Sequence, residues 1–180
     1  WHLHVRFDAG VKGYAGFTDV STLREIGPNA RFGWDLHASG TSIERFDAVV
    51  KGVAWFGRTT LREIGPNARF GGKLYARGTT IERFDAEVEG DADFNGVSTL
   101  REFGPNARFG GNLDASGTSI ERFDAEVGAD ADFTGVSTLW EIGPKARFGG
   151  EVKIDGTALG PDTVPASLRN HPFIKARAAR

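Results

Sequence analysis

Residues 97–135 read VSTLREFGPNARFGGNLDASGTSIERFDAEVGADADFTG, and this 39-residue stretch decides the fold because the rest of the chain repeats it. The leucine of its TLRE or TLWE step recurs at Leu23, Leu61, Leu100 and Leu139, spaced by 38, 39 and 39 residues. Self-similarity at a fixed period of this size marks a solenoid. The unit also halves itself, since STLREIG is echoed by TSIERFD at Ile43, Ile81 and Ile120. The physical repeat is therefore a turn of 18–21 residues, in an A form carrying Leu-Arg-Glu and a B form carrying Ile-Glu-Arg.

The alternation has a physical cause if each turn contributes parallel strands, because equivalent residues then stack about 4.8 Å apart. Two residues after each Leu or Ile the column reads Arg6, Glu25, Arg45, Glu63, Arg83, Glu102, Arg122, Glu141, with the sign reversing at every turn. The preceding column alternates from Arg24 to Glu121 and closes on Trp140, and a third alternates from Arg69 to Arg147, with Arg31 and Val49 ahead of it. Opposite charges side by side stabilise a sheet mildly and like charges do not, so a uniform repeat would repel itself. Exposed pairs contribute only about 0.2–1 kcal/mol each, so these columns fix register and have no catalytic role. Size alternates in the same way. One inward column reads Ala15, Leu36, Ala54, Leu74, Ala92, Leu113, Ala131, Val152 and the next Phe17, Ala38, Phe56, Ala76, Phe94, Ala115, Phe133, Ile154. A small residue accompanies each large one, so successive layers have similar volume and interdigitate.

The turn divides into three stretches. A short period-two strand such as Asn112–Ser116 leads to a Gly-Thr or Gly-Val corner, where glycine tolerates the bend. A Ser/Thr pair next hydrogen-bonds corner backbone, and an apolar pair such as Leu100 and Phe103 points inward. A second extended piece follows, Ala-Arg-Phe or Ala-Glu-Val, and the Gly-Pro of the A turns excludes a central hydrogen-bonded strand just there. Residues 1–160 thus read as a solenoid of about eight turns, incomplete at its N-terminal end, and 161–180 as a C-terminal cap and tail. Asp162–Arg169 carries helix N-cap residues and suits a short helix over the last turn, as repeat arrays require a cap.

The pattern Phe-Gly-Gly-x-Leu-x-Ala-x-Gly-Thr-x-Ile resembles the bacterial leucine-rich-repeat-like arrays built on VGGxLxLxGTxIxxLP, over roughly residues 13–159. The resemblance implies a solenoid with a parallel sheet that serves as a binding scaffold. Alanine at half the strand positions and the missing Leu-Pro step depart from it, so a three-sided parallel β-helix stands as the alternative to a leucine-rich-repeat-like horseshoe.

Composition bounds the function. A net charge of −2 implies neither nucleic acid nor a membrane surface, and no apolar run approaches the ~18 residues of a membrane span. Without cysteine there are no disulfides or Cys metal sites, which is compatible with a reducing, cytoplasmic compartment. A start on Trp1 part-way through a B turn, with no methionine anywhere, reads as a piece of a longer protein. His2, His4, His37 and His171 make no metal spacing, and there is no nucleophile or phosphate-loop signature, so neither cofactor nor catalysis is expected.

Function is then sought on the outward strand positions, where the repeat is not kept. The middle outward column reads Gly16, His37, Trp55, Tyr75, Asp93, Asp114, Asp132, Lys153, and the one before it Tyr14, Asp35, Val53, Lys73, Asp91, Asn112, Asp130, Glu151. Trp34 replaces the second glycine of the Gly-Gly pair, beside the aromatic half. Clustered exposed aromatics anchor protein interfaces. The sequence therefore points to protein binding through Trp34, His37, Trp55, Tyr75, Asp91, Asp93, Asp114, Asp130 and Asp132, against the plainer reading of tolerated surface residues. Stacked Asp93, Asp114 and Asp132 break the alternating-charge rule, which suggests a basic partner, with weak Ca²⁺ binding or screening by salt as alternatives. A purely structural spacer in a larger protein is the reading from a different class.

Overall fold

A computed structural model of the chain describes residues 5–160 together with Thr163 and Val164. The chain winds into eight turns, each laying down three very short parallel strands, so the solenoid is a three-sided prism and not a horseshoe. The first side starts at Val5–Phe7, Leu23–Ile26 and Arg45–Phe46, the second at Gly10–Val11, Arg31–Phe32 and Val49–Val50, and the third at Ala15–Gly16, Leu36–His37 and Ala54–Trp55. The second and third sides are continuous eight-stranded parallel sheets. The first is a six-stranded sheet followed by the pair Arg122–Phe123 and Glu141–Ile142. It breaks after Glu102–Phe103, where Phe103 occupies the column that Ile26, Ile64 and Ile142 fill elsewhere. No helix occurs among the described residues.

The registers follow the columns read from the sequence. Glu63 pairs with Arg45 on one side and Arg83 on the other, Leu74 with Ala54 and Ala92, and Tyr75 with Trp55 and Asp93. The first charge ladder forms ion pairs of one polarity, while Arg24–Glu44 at 3.9 Å and Arg69–Glu87 at 3.0 Å in the other two run from an A turn to the B turn after it. Arg6, Arg45, Arg83 and Arg122 each reach the glutamate of the following turn, Glu25, Glu63, Glu102 and Glu141, at 3.6, 3.2, 3.5 and 3.1 Å. The aromatic core has the same pairing. Phe46 stacks on Phe70 of the next turn at 5.5 Å and meets Phe56 edge-on at 4.9 Å, and Phe84, Phe94 and Phe109 repeat the cluster one unit later. Offset and edge-to-face ring pairs each add about 0.5–1.5 kcal/mol beyond the area they bury. The ring stacks and the first ladder join a B turn to the A turn after it, and the alternation of charge and size from turn to turn gives the sequence its 38–39-residue period.

The corners explain the conserved spacing of small and polar residues along this chain. At the first corner Gly-Pro-Asn-Ala makes a β-turn, with the Ala30, Ala68 and Ala107 N–H donating to the carbonyls of Gly27, Gly65 and Gly104 at 3.1, 3.1 and 3.0 Å. Proline suits the second position of such a turn, which fixes φ and needs no N–H. At the last corner the threonines Thr41, Thr79 and Thr118 are buried and donate to the carbonyls three residues back, each at 2.7 Å. Just before them the backbone turns left-handed, with φ of 71° at Gly40, 69° at Gly78 and 66° at Gly117. The same column holds Asp19 at 60° and Arg58 at 59°. A side chain in that conformation costs roughly 1–2 kcal/mol, partly offset by the floppier unfolded state that glycine brings. Arg58→Gly is accordingly expected to raise stability by about 0.5–1 kcal/mol. Its denaturant midpoint should move up, and an unchanged or lower midpoint would contradict this account of the corner.

Past the last turn the chain returns to the first side. The Ile142 N–H donates to the Thr163 carbonyl at 3.0 Å and Val164 is buried. The short helix expected over Asp162–Arg169, like the rest of the tail, otherwise lies outside the described residues.

Candidate functional site

The outward face of the third side changes character along its length, from rings to carboxylates. Period-two strands set the side chains of its middle column outward, and the parallel register stacks them. Tyr14 and His37 approach with ring centres 5.2 Å apart, His37 and Trp55 at 3.9 Å, and Trp55 and Tyr75 at 5.9 Å with their planes only 12° apart. Four consecutive turns therefore carry one continuous row of ring contacts, tilted by 48° and 39° at its first two steps and stacked face to face at Trp55–Tyr75. Tyr14 remains 56% exposed, while Trp55 is half-buried between its neighbours.

Trp34 is placed differently. It stands at the corner between the second and third sides, is 68% exposed, and makes none of the stack's ring contacts. Its column elsewhere is glycine at Gly52, Gly72 and Gly111, and a Cβ at Gly72 would come within 2.7 Å of the Gly52 backbone.

Beyond Tyr75 the face is acidic, and its carboxylates are engaged within the chain. Asp93, Asp114 and Asp132 stack in register. Each accepts the backbone N–H two residues on, from Asn95, Ser116 and Thr134 at 3.1, 3.1 and 2.9 Å. Cations are interleaved with them. Arg77 bridges Asp93 at 2.6 Å and Asp114 at 3.8 Å, and Lys153 meets Asp132 at 3.4 Å. Lys73 lies 2.8 Å from Asp91. The row that breaks the ladder rule is thus partly neutralised, by Lys153 at the end of its own column and by Arg77 reaching in from two residues after Tyr75, and a column-by-column reading of the sequence passes over the second. Hydrogen bonds set the protonation of this region. Lys73, then the Asn112 N–H, holds the Asp91 carboxyl below its ordinary range. Burial pushes Asp132 up, but the Thr134 hydroxyl and N–H and the Lys153 ammonium outweigh it and bring it below normal.

Asp91 and Asp130 also have a structural task. Asp91 accepts the Asn112 N–H at 2.9 Å, Asn112 accepts the Asp130 N–H at 3.1 Å, and Asp130 accepts the Glu151 N–H at 2.7 Å. Asp35 does the same for Val53 at 2.8 Å. These side chains tie each turn to the next where the corner leaves an N–H without a strand partner.

A larger set of such ties lies on the opposite edge of the prism, and the sequence reading did not single it out. The aspartate of each Arg-Phe-Asp-Ala clasps the Gly-Pro-Asn of the turn above. Asp47 accepts both the Asn67 backbone N–H at 2.8 Å and its side-chain amide at 2.7 Å, and Asp85 takes Asn106 at 2.8 and 3.3 Å. Asp8 and Asn29 repeat it, and at the last step Asp124 accepts the Lys145 N–H without a side-chain amide beside it. The glycine before each proline makes room, since a Cβ at Gly104 or Gly143 would fall 2.3 Å from the Asp85 or Asp124 carboxylate. The signal was available as an Asp followed 20 or 21 residues later by Asn in Gly-Pro-Asn.

Between Tyr75 and Asp114 the face holds a shallow, open depression lined by Lys73, Tyr75, Asp91, Asp93 and Asn112. Among the described residues no three His, Cys, Asp or Glu side chains are grouped closely enough to hold a metal ion, and no helix is long and apolar enough to cross a membrane. Comparison with known proteins finds no matching family model, no matching curated protein and no matching solved structure.

Proposed function

We propose that this chain is a non-catalytic binding scaffold that recognises another protein through the outward face of its third side. The observation that carries the reading is the four-turn stack of Tyr14, His37, Trp55 and Tyr75, running directly into the depression beside Asp93. Aromatic side chains are frequent energetic anchors of protein interfaces, and rings already ordered by stacking lose little freedom on binding. The adjoining carboxylates keep a surplus of negative charge over Arg77, Lys73 and Lys153, which favours a partner presenting basic groups. The likeness of the turns to bacterial leucine-rich-repeat-like arrays, which serve mostly as scaffolds, agrees with this reading.

The test is affinity capture from cells of the source organism with the parent chain and with Trp55→Ala/Tyr75→Ala. The double variant is expected to lose the captured protein by at least about tenfold, as removal of two anchors at ~1–2 kcal/mol each requires. Its circular dichroism and unfolding midpoint report whether the solenoid is intact. A folded double variant that captures the same proteins at the same yield would leave only the spacer reading.

A further inference from the structure

The second side departs from its own repeat in one place, and a second departure falls beside it. Along its outward column Arg69, Glu87, Arg108, Glu126 and Arg147 alternate in register, but Val49 takes the place of an acid between Arg31 and Arg69. The column beside it adds Lys12 and Lys51, both exposed, where the later turns have Gly71, Glu89, Gly110, Gly128 and Gly149. Lys12, Arg31 and Lys51 have no carboxylate within ion-pairing distance among the described residues, whereas Arg69 is held by Glu87 at 3.0 Å. Trp34 rises among them. The Lys51 N–H donates to Phe32, the Gly52 N–H to Trp34, and the Gly33 N–H to Val11 of the turn before, so Lys12 and Lys51 lie on the turns either side of it. Loss of an acid and gain of a tryptophan thus meet on one patch of the N-terminal turns.

We infer that this patch docks on the acidic C-terminal half of the third side of a second copy of the chain. The inference rests on the protein-binding reading of that face and names the partner. Charge complementarity argues for it. Residues 5–90 carry twelve Lys and Arg against eleven Asp and Glu, a net +1, while 91–160 carry six against twelve, a net −6. Lys12, Arg31 and Lys51 sit on turns one to three, and Asp93, Asp114 and Asp132 share a column on turns five to seven, with Asp155 beside that column on turn eight. Both rows are built on the same parallel-strand spacing of about 4.8 Å, so two copies laid side by side present cations and carboxylates at matching intervals. Trp34 supplies an apolar anchor that the charges flank. Patch and face are different surfaces, so the contact is heterologous and propagates from copy to copy.

Sedimentation velocity of the full chain, over a range of concentrations to a few hundred micromolar, tests this. At low salt the weight-average mass is expected to climb with concentration and in high salt to fall back to the monomer, since screening shortens the reach of exposed charges to about 3 Å near 1 M. Lys12→Glu/Lys51→Glu and Glu151→Lys/Asp155→Lys should each be monomeric alone, and mixing the two should restore association. Trp34→Ala should weaken it about tenfold, with an unchanged unfolding midpoint. A parent chain that stays monomeric at low salt, or a mixture of reversed variants that fails to associate, overturns the inference. Retention of a single-stranded 20-mer oligonucleotide by the parent but not by Lys12→Glu/Lys51→Glu, without self-association, overturns it in favour of a polyanion ligand. None of these outcomes touches the capture experiment on Trp55 and Tyr75, so the two readings fail separately.

Discussion

Asp85→Ala will lower the stability of the chain by about 2–4 kcal/mol, the expected loss when a buried carboxylate with several hydrogen bonds is removed. The Asp85 side chain is only 6% exposed. It accepts the Asn106 N–H and side-chain amide and lies 3.3 Å from the Arg83 guanidinium. Alanine would leave the Asn106 N–H without its acceptor and a void beneath Gly104. Asp85→Asn keeps the shape and one acceptor oxygen but gives up the charge, so it should fall between parent and alanine variant. Urea unfolding followed by circular dichroism reads all three. An alanine variant within about 0.5 kcal/mol of the parent would show that the clasp is decoration, since surface changes are usually that small.

The second large effect lies inside. Ala115 is fully buried, in register between the Phe94 and Phe133 turns. Ala115→Phe would put three large rings in consecutive layers of one column, where every natural layer but the last, Val152 with Ile154, pairs a large residue with a small one. Overpacking of a dense core costs about 1–3 kcal/mol and more where the backbone cannot yield. Here the strand spacing is set by hydrogen bonds on all three sides, so a value at or above the upper end is expected. Pairing the change with Leu113→Ala should recover part of the loss, because Leu113 shares that layer. A variant as stable as the parent, with or without the partner change, would mean the columns do not pack as described.

Much of the fold was legible because the turns are in register with themselves. Once Glu25, Arg45 and Glu63 fall in one column, strand pairing follows from charge, and the Ala/Leu alternation at Ala54, Leu74 and Ala92 says which way the strand faces. The cross-section was legible only as two options. Corners at Gly-Pro and Gly-Thr divide the turn, but whether the piece around Arg69–Phe70 forms its own sheet depends on hydrogen bonds between turns that spacing alone does not dictate. The candidate face was half legible. Its columns were readable, yet the stacking of His37 on Trp55 depends on rotamers, and the neutralising role of Arg77 depends on a reach across columns. Asp91 and Asp130 looked like surplus charge because their backbone partners on the next turn carry no sequence signature.

The coupling of each B turn to the A turn after it has a consequence for how such a chain can change length. Gaining or losing 38 or 39 residues leaves every seam as it was, with arginine meeting glutamate and phenylalanine meeting its stacking mate. Gaining or losing a single turn would leave one seam where two turns of the same form meet, with like charge on like charge and layers of the same size pattern in contact. Changes of length by double turns therefore keep every pairing, whereas an internal change by a single turn costs one mismatched seam.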